Sequence, residues 1–139
     1  MNREIKFRAW DTENKSMERV AIFLIDEYKT YPHDRGYIHN CQDWEHHDLI
    51  SKPVIMQYTG LKDKNGKEIY EGDIVKLWFD EGEEVFWNTF LVKFFEGCFI
   101  CEFLQGDTEE YPISEYWNDS QDLEIIGNIY ENPELPTNN

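Results

Sequence analysis

The chain has 139 residues, of which 40% are hydrophobic and 16% aromatic, and its net charge is −16. That length is typical of one domain. The high aromatic content favours a folded protein, because disordered chains contain few aromatic side chains. The negative charge argues against direct binding to nucleic acid or to a membrane surface, since both depend on cationic side chains. There is no membrane-spanning apolar stretch, no signal-peptide pattern and no disulfide framework among three cysteines, so we expect a cytoplasmic protein.

The charge is unevenly distributed along the chain. Residues 1–79 contain 12 lysines and arginines and 14 acidic residues, a net charge of −2. Residues 80–139 contain one basic residue, Lys93, and 15 acidic ones, a net charge of −14. Such asymmetry indicates either an electrostatic partner or a solvated surface that keeps an aromatic-rich protein soluble, and we favour the second interpretation.

The N-terminal region is predicted to form a β-hairpin. Ile5, Phe7 and Ala9 alternate with Lys6, Arg8 and Trp10, which is the period of a strand. Residues 11–15 have turn chemistry, and residues 17–25 form the second strand. Residues 26–52 are less apolar, contain all four histidines, and are predicted to be irregular with one short helix around residues 43–50.

From Pro53 onward the strand signals are closely spaced. Residues 53–59 form a strand, and Asn65-Gly66 predicts a type I′ hairpin turn, because both residues tolerate positive φ. Residues 67–70 return from that turn, and residues 74–79 follow a second turn at 71–73.

Two further strands, 85–95 and 98–104, follow the acidic loop 80–84 and meet at Glu96-Gly97. On the first of them one face is predicted to be core, formed by Phe86, Phe90, Val92 and Phe94. Residues 111–117 predict one helical turn, and residues 123–130 predict the closing strand. The organisation is therefore mainly β: residues 1–52 a hairpin with a polar segment, 53–131 a small barrel or sandwich, and 132–139 a flexible tail.

Two groups of residues have the composition of metal or redox sites. Cys98 and Cys101 have C-x-x-C spacing, but in a strand those positions point to opposite faces, so we interpret them as packing residues. The cluster of His39, Cys41, His46 and His47 matches no closed zinc pattern. No phosphate-binding, dinucleotide or hydrolase motif is present, so the sequence predicts no catalytic residue, no cofactor and no metal site.

Three tryptophans occupy strand faces opposite to other apolar residues, namely Trp10, Trp78 and Trp87. If the sheet is covered on both sides they belong to the core, and if one face is bare they form an apolar patch of the kind that binds protein. One small layer cannot bury rings on both faces, so we expect a homo-oligomer.

Three blocks of sequence carry a family resemblance. The longest is Gln57–Val75, with the run Gln-Tyr-Thr-Gly-Leu-Lys-Asp-Lys-Asn-Gly at its start, and the others are Ile5–Asp11 and Glu124–Leu135. Together they resemble the YopX family of phage and prophage proteins, in the family's order and over nearly the whole chain. The resemblance implies a small SH3-like β-barrel preceded by an α+β portion, a cytoplasmic setting, and no established activity or catalytic residue to assign.

The first functional hypothesis is thus a phage or prophage accessory protein, not an enzyme, that acts through self-assembly and protein contacts. The alternative is an acidic DNA mimic that binds a basic host or phage protein, such as a nucleic-acid-binding factor, without touching nucleic acid itself. Composition alone supports a third hypothesis, a metal-dependent hydrolase. For the acidic mimic the candidate partner-binding residues are Asp80, Glu81, Glu83, Glu84, Asp107, Glu109 and Glu110.

Overall fold

The structure is a computed structural model that describes residues 4–23, 38–40, 49–50, 53–80, 82–104, 110–113 and 123–135. Most of these residues lie in strands, which confirms the mainly-β class. The chain divides into two compact units, residues 5–57 and residues 58–139 together with 1–4. The boundary falls between Gln57 and Tyr58, inside a strand, whereas the sequence predicted it before Pro53.

The first unit is an antiparallel sheet built on the predicted hairpin. Its strands run in the spatial order β4-β3-β2-β1-β5. Their bounds are β1 Phe7–Asp11, β2 Ser16–Phe23, β3 Ile38–Asn40, β4 Leu49–Ile50 and β5 Pro53–Lys62, of which residues 53–57 belong to this unit.

The turn between β1 and β2 is closed by the side chain of Asp11. Its carboxylate accepts hydrogen bonds from the backbone N–H groups of Glu13 and Asn14, at 2.9 and 3.0 Å, and from the Asn14 amide at 2.8 Å. The bonds from Asn14 hold the pKa of the Asp11 carboxyl below its usual range. The predicted turn at residues 11–15 is confirmed, with aspartate as its organising residue.

The predicted short helix around residues 43–50 is wrong at its C-terminal end. Leu49 and Ile50 form β4 and pair with His39 and Ile38 of β3. A partner strand satisfies their backbone groups, and this long-range pairing overrides the local signal. Residues 43–48 lie outside the described part of the chain.

The second unit contains a five-stranded antiparallel sheet, curled into a half-barrel, in the order β10-β9-β8-β7-β11. The strands are β7 Asp73–Asp80, β8 Val85–Phe95, β9 Cys98–Phe103, β10 Glu110–Pro112 and β11 Leu123–Asn128. Before them, residues 58–62 of β5 pair with β6, Glu68–Tyr70. The predicted strands of this region are therefore present. β5 extends three residues beyond its expected end at residue 59, and the other ends lie within two residues of the expected ones.

One face of this sheet packs into the main hydrophobic core. Register places Val75 and Leu77 of β7 opposite Phe90 and Asn88 of β8, and the same face continues through Cys101 of β9. The buried core consists of Ile69, Val75, Leu77, Phe90, Val92, Phe99, Cys101, Ile113 and Leu123. We call the opposite side, which carries Lys76, Trp78 and Trp87, the outer face.

The predicted type I′ turn at Asn65-Gly66 is wrong. Among the described residues of this loop only Gly66 has positive φ, at 79°, and Gly66 N–H donates to the Asp63 carbonyl at 2.9 Å. Asp63 N–H donates to Lys67 across the base of the loop at 2.8 Å. This is a longer hairpin loop with glycine in the left-handed position.

The type I′ pattern occurs instead at Glu96-Gly97, between β8 and β9. Both residues have positive φ, 48° and 85°, and Phe95 pairs with Cys98 on either side of them. A two-residue loop requires this geometry to match the twist of its strands, so strand register imposes it even on a glutamate.

We expect Glu96→Asn to raise the free energy of unfolding by about 0.5–1 kcal/mol, because asparagine tolerates the left-handed region better than glutamate. Urea denaturation measures the change. Glu83→Asn is the matched control, since Glu83 is also exposed and has no positive φ. An equal gain in both variants would show that removal of negative charge, and not backbone strain, is responsible.

Two predictions near the C-terminus need correction. Tyr111 and Pro112, expected in a helical turn, belong to β10 and pair with Cys101 and Ile100. Within the predicted tail, residues 132–135 form a hydrogen-bonded turn, because Asn132 N–H donates to the Asn128 carbonyl at 2.9 Å and Leu135 N–H donates to the Asn132 carbonyl at 3.1 Å. Residues 114–117 and 136–139 lie outside the described part.

Candidate protein-binding surface

The candidate acidic residues do not form one cluster in the part of the chain that is described. Glu83 and Glu84 are exposed, in the loop between β7 and β8. Asp80 ends β7, whereas Glu110 begins β10 and is level with Glu102, Leu91 and Ile74 across the sheet. Ile74 and Asp80 are therefore about 20 Å apart along the strand, so Asp80 and Glu110 lie in different regions. The residues Glu81, Asp107 and Glu109 lie outside the described part.

The loop that carries Glu83 and Glu84 closes a stretch in which, among the described strands, β7 and β8 pair only with each other. The ladder between β7 and β11 ends at the pair Leu77–Leu123, and the ladder between β8 and β9 ends at the pair Phe90–Phe103. Beyond these pairs, residues 78–80 and 85–87 pair only with each other among the described strands. We call residues 78–87 the β7–β8 arm.

The outer face of the arm carries a tryptophan pair. Trp78 lies directly opposite Trp87, with ring centroids 6.5 Å apart in an edge arrangement. The Lys76 ammonium lies 4.7 Å from the Trp78 ring centroid and 4.0 Å from that of Trp87, within cation–π distance of both. Trp87 nevertheless remains 43% exposed.

A buried hydroxyl lies beside this pair on the outer face. Thr89 is opposite Lys76 in the ladder, and its Oγ1 is buried without a hydrogen-bond partner among the described atoms. An unpaired buried hydroxyl costs free energy, about 1–3 kcal/mol in mutational data. The sheet beside the tryptophan pair therefore contains a buried hydroxyl that forms no hydrogen bond with the described atoms.

The opposite end of β8 carries a second exposed aromatic group. Phe94 is 50% exposed and Phe95 is 44% exposed, just before the turn to β9. Phe94 was expected to be core, and that prediction is wrong, although Phe90 and Val92 on the same face are buried. The ring of Phe94 packs edge-on at the rim of the core, 5.1 Å from that of Phe99.

One pair of charges beside Phe95 is compensated within the sheet, whereas Glu96 in the following turn is exposed. Lys93 forms an ion pair with Glu102 at 2.8 Å, and its ammonium lies 5.7 Å from the Phe95 ring centroid. The two aromatic groups of β8 thus differ in the charges around them. The arm ends in an acidic loop, whereas the Phe94–Phe95 end lies beside the Lys93–Glu102 ion pair.

The cysteines occupy the positions that the strand period predicted. Cys98 is exposed and Cys101 is buried, on opposite faces of β9, so the pair cannot hold one metal ion. Burial raises the pKa of the Cys101 thiol to about 12, which makes it a packing residue and not a nucleophile. In the histidine cluster, His39 lies in β3, while Cys41, His46 and His47 fall outside the described residues.

The described residues contain no group of three or more His, Cys, Asp and Glu side chains that could hold a metal ion. None of their helices is long and apolar enough to cross a bilayer.

The sequence left open whether the tryptophans are buried in the core or exposed on a bare face, and the answer differs from one tryptophan to the next. Trp10 is buried, whereas Trp87 is exposed. The pairing of Trp78 with Trp87 was missed, although one signal could have revealed it. Trp78 and Trp87 are equally far in sequence from the middle of residues 80–85, which connect the two tryptophan-bearing segments. Cross-strand partners in a hairpin must satisfy this condition.

Comparison with known proteins agrees with this architecture. A family model described as YopX protein matches residues 6–136. The SPbeta prophage-derived uncharacterized protein YopX of Bacillus subtilis strain 168 is 33% identical over 70 residues, which cover 50% of this chain and 51% of that protein. The match thus spans about half the length of this curated relative.

Two crystal structures resemble the chain along almost its whole length. Protein EF1440 from Enterococcus faecalis is 30% identical with a TM-score of 0.63, and the match covers 97% of this chain and 99% of that one. Protein yopX from Bacillus subtilis, at 24% identity and a TM-score of 0.58, shares the fold over 94% and 96% of the two chains. Since the family match extends from residue 6 to residue 136, the chain belongs to the YopX family.

Proposed function

We propose that this chain is a prophage-encoded cytoplasmic accessory protein that acts by self-assembly and by contacts with other proteins, and not as an enzyme. The observation that carries the proposal is the exposure of large rings at both ends of β8, Trp87 at 43%, Phe94 at 50% and Phe95 at 44%. Exposed rings of this size are enriched at protein interfaces. The prophage origin rests on the Bacillus subtilis relative, which is prophage-derived.

Self-assembly is assigned to the Phe94–Phe95 end of β8. Lys93 and Glu102 beside these rings neutralise each other, and Glu96 in the turn adds one exposed negative charge, so two copies repel each other less there than at the arm, whose loop carries Glu83 and Glu84. The half-barrel sheet, which we propose is the SH3-like portion of the fold, supplies a rigid support for these rings.

The double variant Phe94→Ser/Phe95→Ser is expected to weaken self-association at least tenfold, roughly the loss for two interface aromatic residues. Sedimentation velocity over a wide concentration range measures this. Ile126→Ser is the matched control, because Ile126 is an exposed apolar residue on β11 at the edge of the same sheet. A wild-type protein that sediments as a monomer at every concentration would contradict the assignment.

The acidic DNA mimic is the second candidate function. Exposed Glu83 and Glu84 support it, as does the net charge of −14 in residues 80–139. A mimic must present carboxylates in rows with the spacing of phosphates, and its binding must weaken steeply with salt. Competition with duplex DNA for a basic DNA-binding protein, at low and high salt, tests this function directly.

Only the composition of the chain supports the third hypothesis, a metal-dependent hydrolase.

A further inference from the structure

We propose that the outer face of the β7–β8 arm, formed by Trp78, Trp87 and the loop with Glu83 and Glu84, binds an arginine-bearing segment of another protein. This inference rests on the proposed protein-binding function and names the place and the chemistry of one such contact.

The tryptophan pair already holds one cation within cation–π distance. Lys76 places its ammonium 4.0 Å from the Trp87 ring centroid and 4.7 Å from that of Trp78. An indole has two faces, and Trp87 keeps 43% of its surface exposed while Lys76 is in place. A guanidinium is planar and weakly hydrated, so it stacks on the exposed part of an indole better than an ammonium does.

The negative charge of the loop at the end of the arm favours a cationic partner. Glu83 and Glu84 are both exposed in the loop at the end of the arm. Residues 80–139, to which most of the arm belongs, have a net charge of −14. An arginine side chain gains from both features, since its aliphatic stem and guanidinium cover the rings while the carboxylates attract its charge.

The hydroxyl of Thr89 is the third feature of this face. It is buried, has no hydrogen-bond partner among the described atoms, and lies two residues from Trp87 along β8. A hydroxyl oxygen can accept a hydrogen bond from an N–H donor such as a guanidinium. The structure thus leaves one polar group unpaired at the surface that we assign to the ligand.

A second copy of this chain is not the occupant. In a two-fold contact through the arms, the acidic loop of one copy would face the acidic loop of the other, because such interfaces bring the same patch together. Carboxylates held close together in an apolar contact repel each other strongly. This repulsion is weaker at the Phe94–Phe95 end, where Lys93 and Glu102 are paired and Glu96 is the one exposed carboxylate of the turn, so we assign self-assembly to that end.

The test uses the full chain and a fluorescent peptide of alternating arginine and valine, with binding followed by fluorescence anisotropy. We expect Trp87→Ala to weaken binding about tenfold, the effect of losing a partly desolvated cation–π contact and its apolar surface. The double variant Glu83→Gln/Glu84→Gln is expected to weaken it about threefold, and less as salt is raised.

Matched controls distinguish the arm from general attraction to an acidic protein. Ile126→Ala removes an exposed apolar side chain and Glu131→Gln an exposed carboxylate, both outside the arm and outside the Phe94–Phe95 end, and neither should change binding. A peptide of alternating glutamate and valine should not bind. Urea denaturation of each variant confirms that the fold is retained.

Two results would overturn the assignment: no binding of the arginine peptide, or equal losses in the arm variants and their controls. Sedimentation velocity of the same samples distinguishes failure of this assignment from failure of the proposed function. If the protein still self-associates after either of these results, the accessory function stands and only the arm is ruled out as a binding surface.

Discussion

Replacing Asp63 with alanine is expected to lower the free energy of unfolding by about 3 kcal/mol, as expected for several hydrogen bonds to one buried carboxylate. Asp63 is only 7% exposed. Its Oδ1 accepts hydrogen bonds from the N–H groups of Asn65 and Lys67, both at 2.9 Å, and its Oδ2 accepts one from Ile125 at 3.1 Å. The side chain thus joins the β5–β6 hairpin loop to β11, which is 62 residues away in sequence.

Two further variants test this explanation by urea denaturation. Asp63→Asn keeps one acceptor oxygen but loses the charge and the second acceptor, so it should fall between wild type and alanine. Lys64→Ala removes a neighbouring surface ion pair to Glu124, at 3.0 Å, and should cost only about 0.5 kcal/mol. A loss below about 1 kcal/mol for Asp63→Ala would show that water replaces the carboxylate at this junction.

Gly127→Ala is expected to destabilise the protein by about 2 kcal/mol, through steric overlap at the end of β11. A Cβ at this position would lie 2.5 Å from Asn132 Oδ1 and 2.7 Å from Leu135 Cδ1. Asn132 cannot move freely, because its Oδ1 accepts a hydrogen bond from Asn128 N–H at 3.3 Å and its own N–H donates to the Asn128 carbonyl. The C-terminal turn packs closely enough to exclude a methyl group.

A double-mutant cycle measures the clash itself. Asn132→Ala alone should be destabilising, because it removes the Asn128 contact, but in the Gly127→Ala background it should cost less or even restore stability. Thermal or urea unfolding of the four proteins supplies the coupling free energy. Strictly additive effects would mean that the segment 132–135 moves away at little cost, as the sequence had suggested for a flexible tail.

The two turns show how far local sequence can be trusted in this fold. Asn65-Gly66 is the stronger type I′ signal, but the structure places a longer loop there, because the Asp63 carboxylate and the register of β5 with β6 define its length. Glu96-Gly97 is the weaker signal, but the pair Phe95–Cys98 leaves two residues to reverse the chain. In both cases strand register, a long-range property, decides the turn type.

The candidate surface was predictable only in its components. The sequence showed surplus rings, an acidic second half and the possible exposure of Trp78 and Trp87. The positions of these two tryptophans around the loop were compatible with cross-strand pairing, but only the exact β7–β8 register makes them partners around the Lys76 ammonium. The order and approximate bounds of the other strands in residues 53–128, the opposite faces of Cys98 and Cys101, and the family were accessible from sequence, because period-two patterns and turn residues are local. β10 was not, because only its pairing with β9 makes it a strand. Which rings are covered depends on where neighbouring strands stop, at Leu123 beside Leu77 and at Phe103 beside Phe90, and only the tertiary structure decides that.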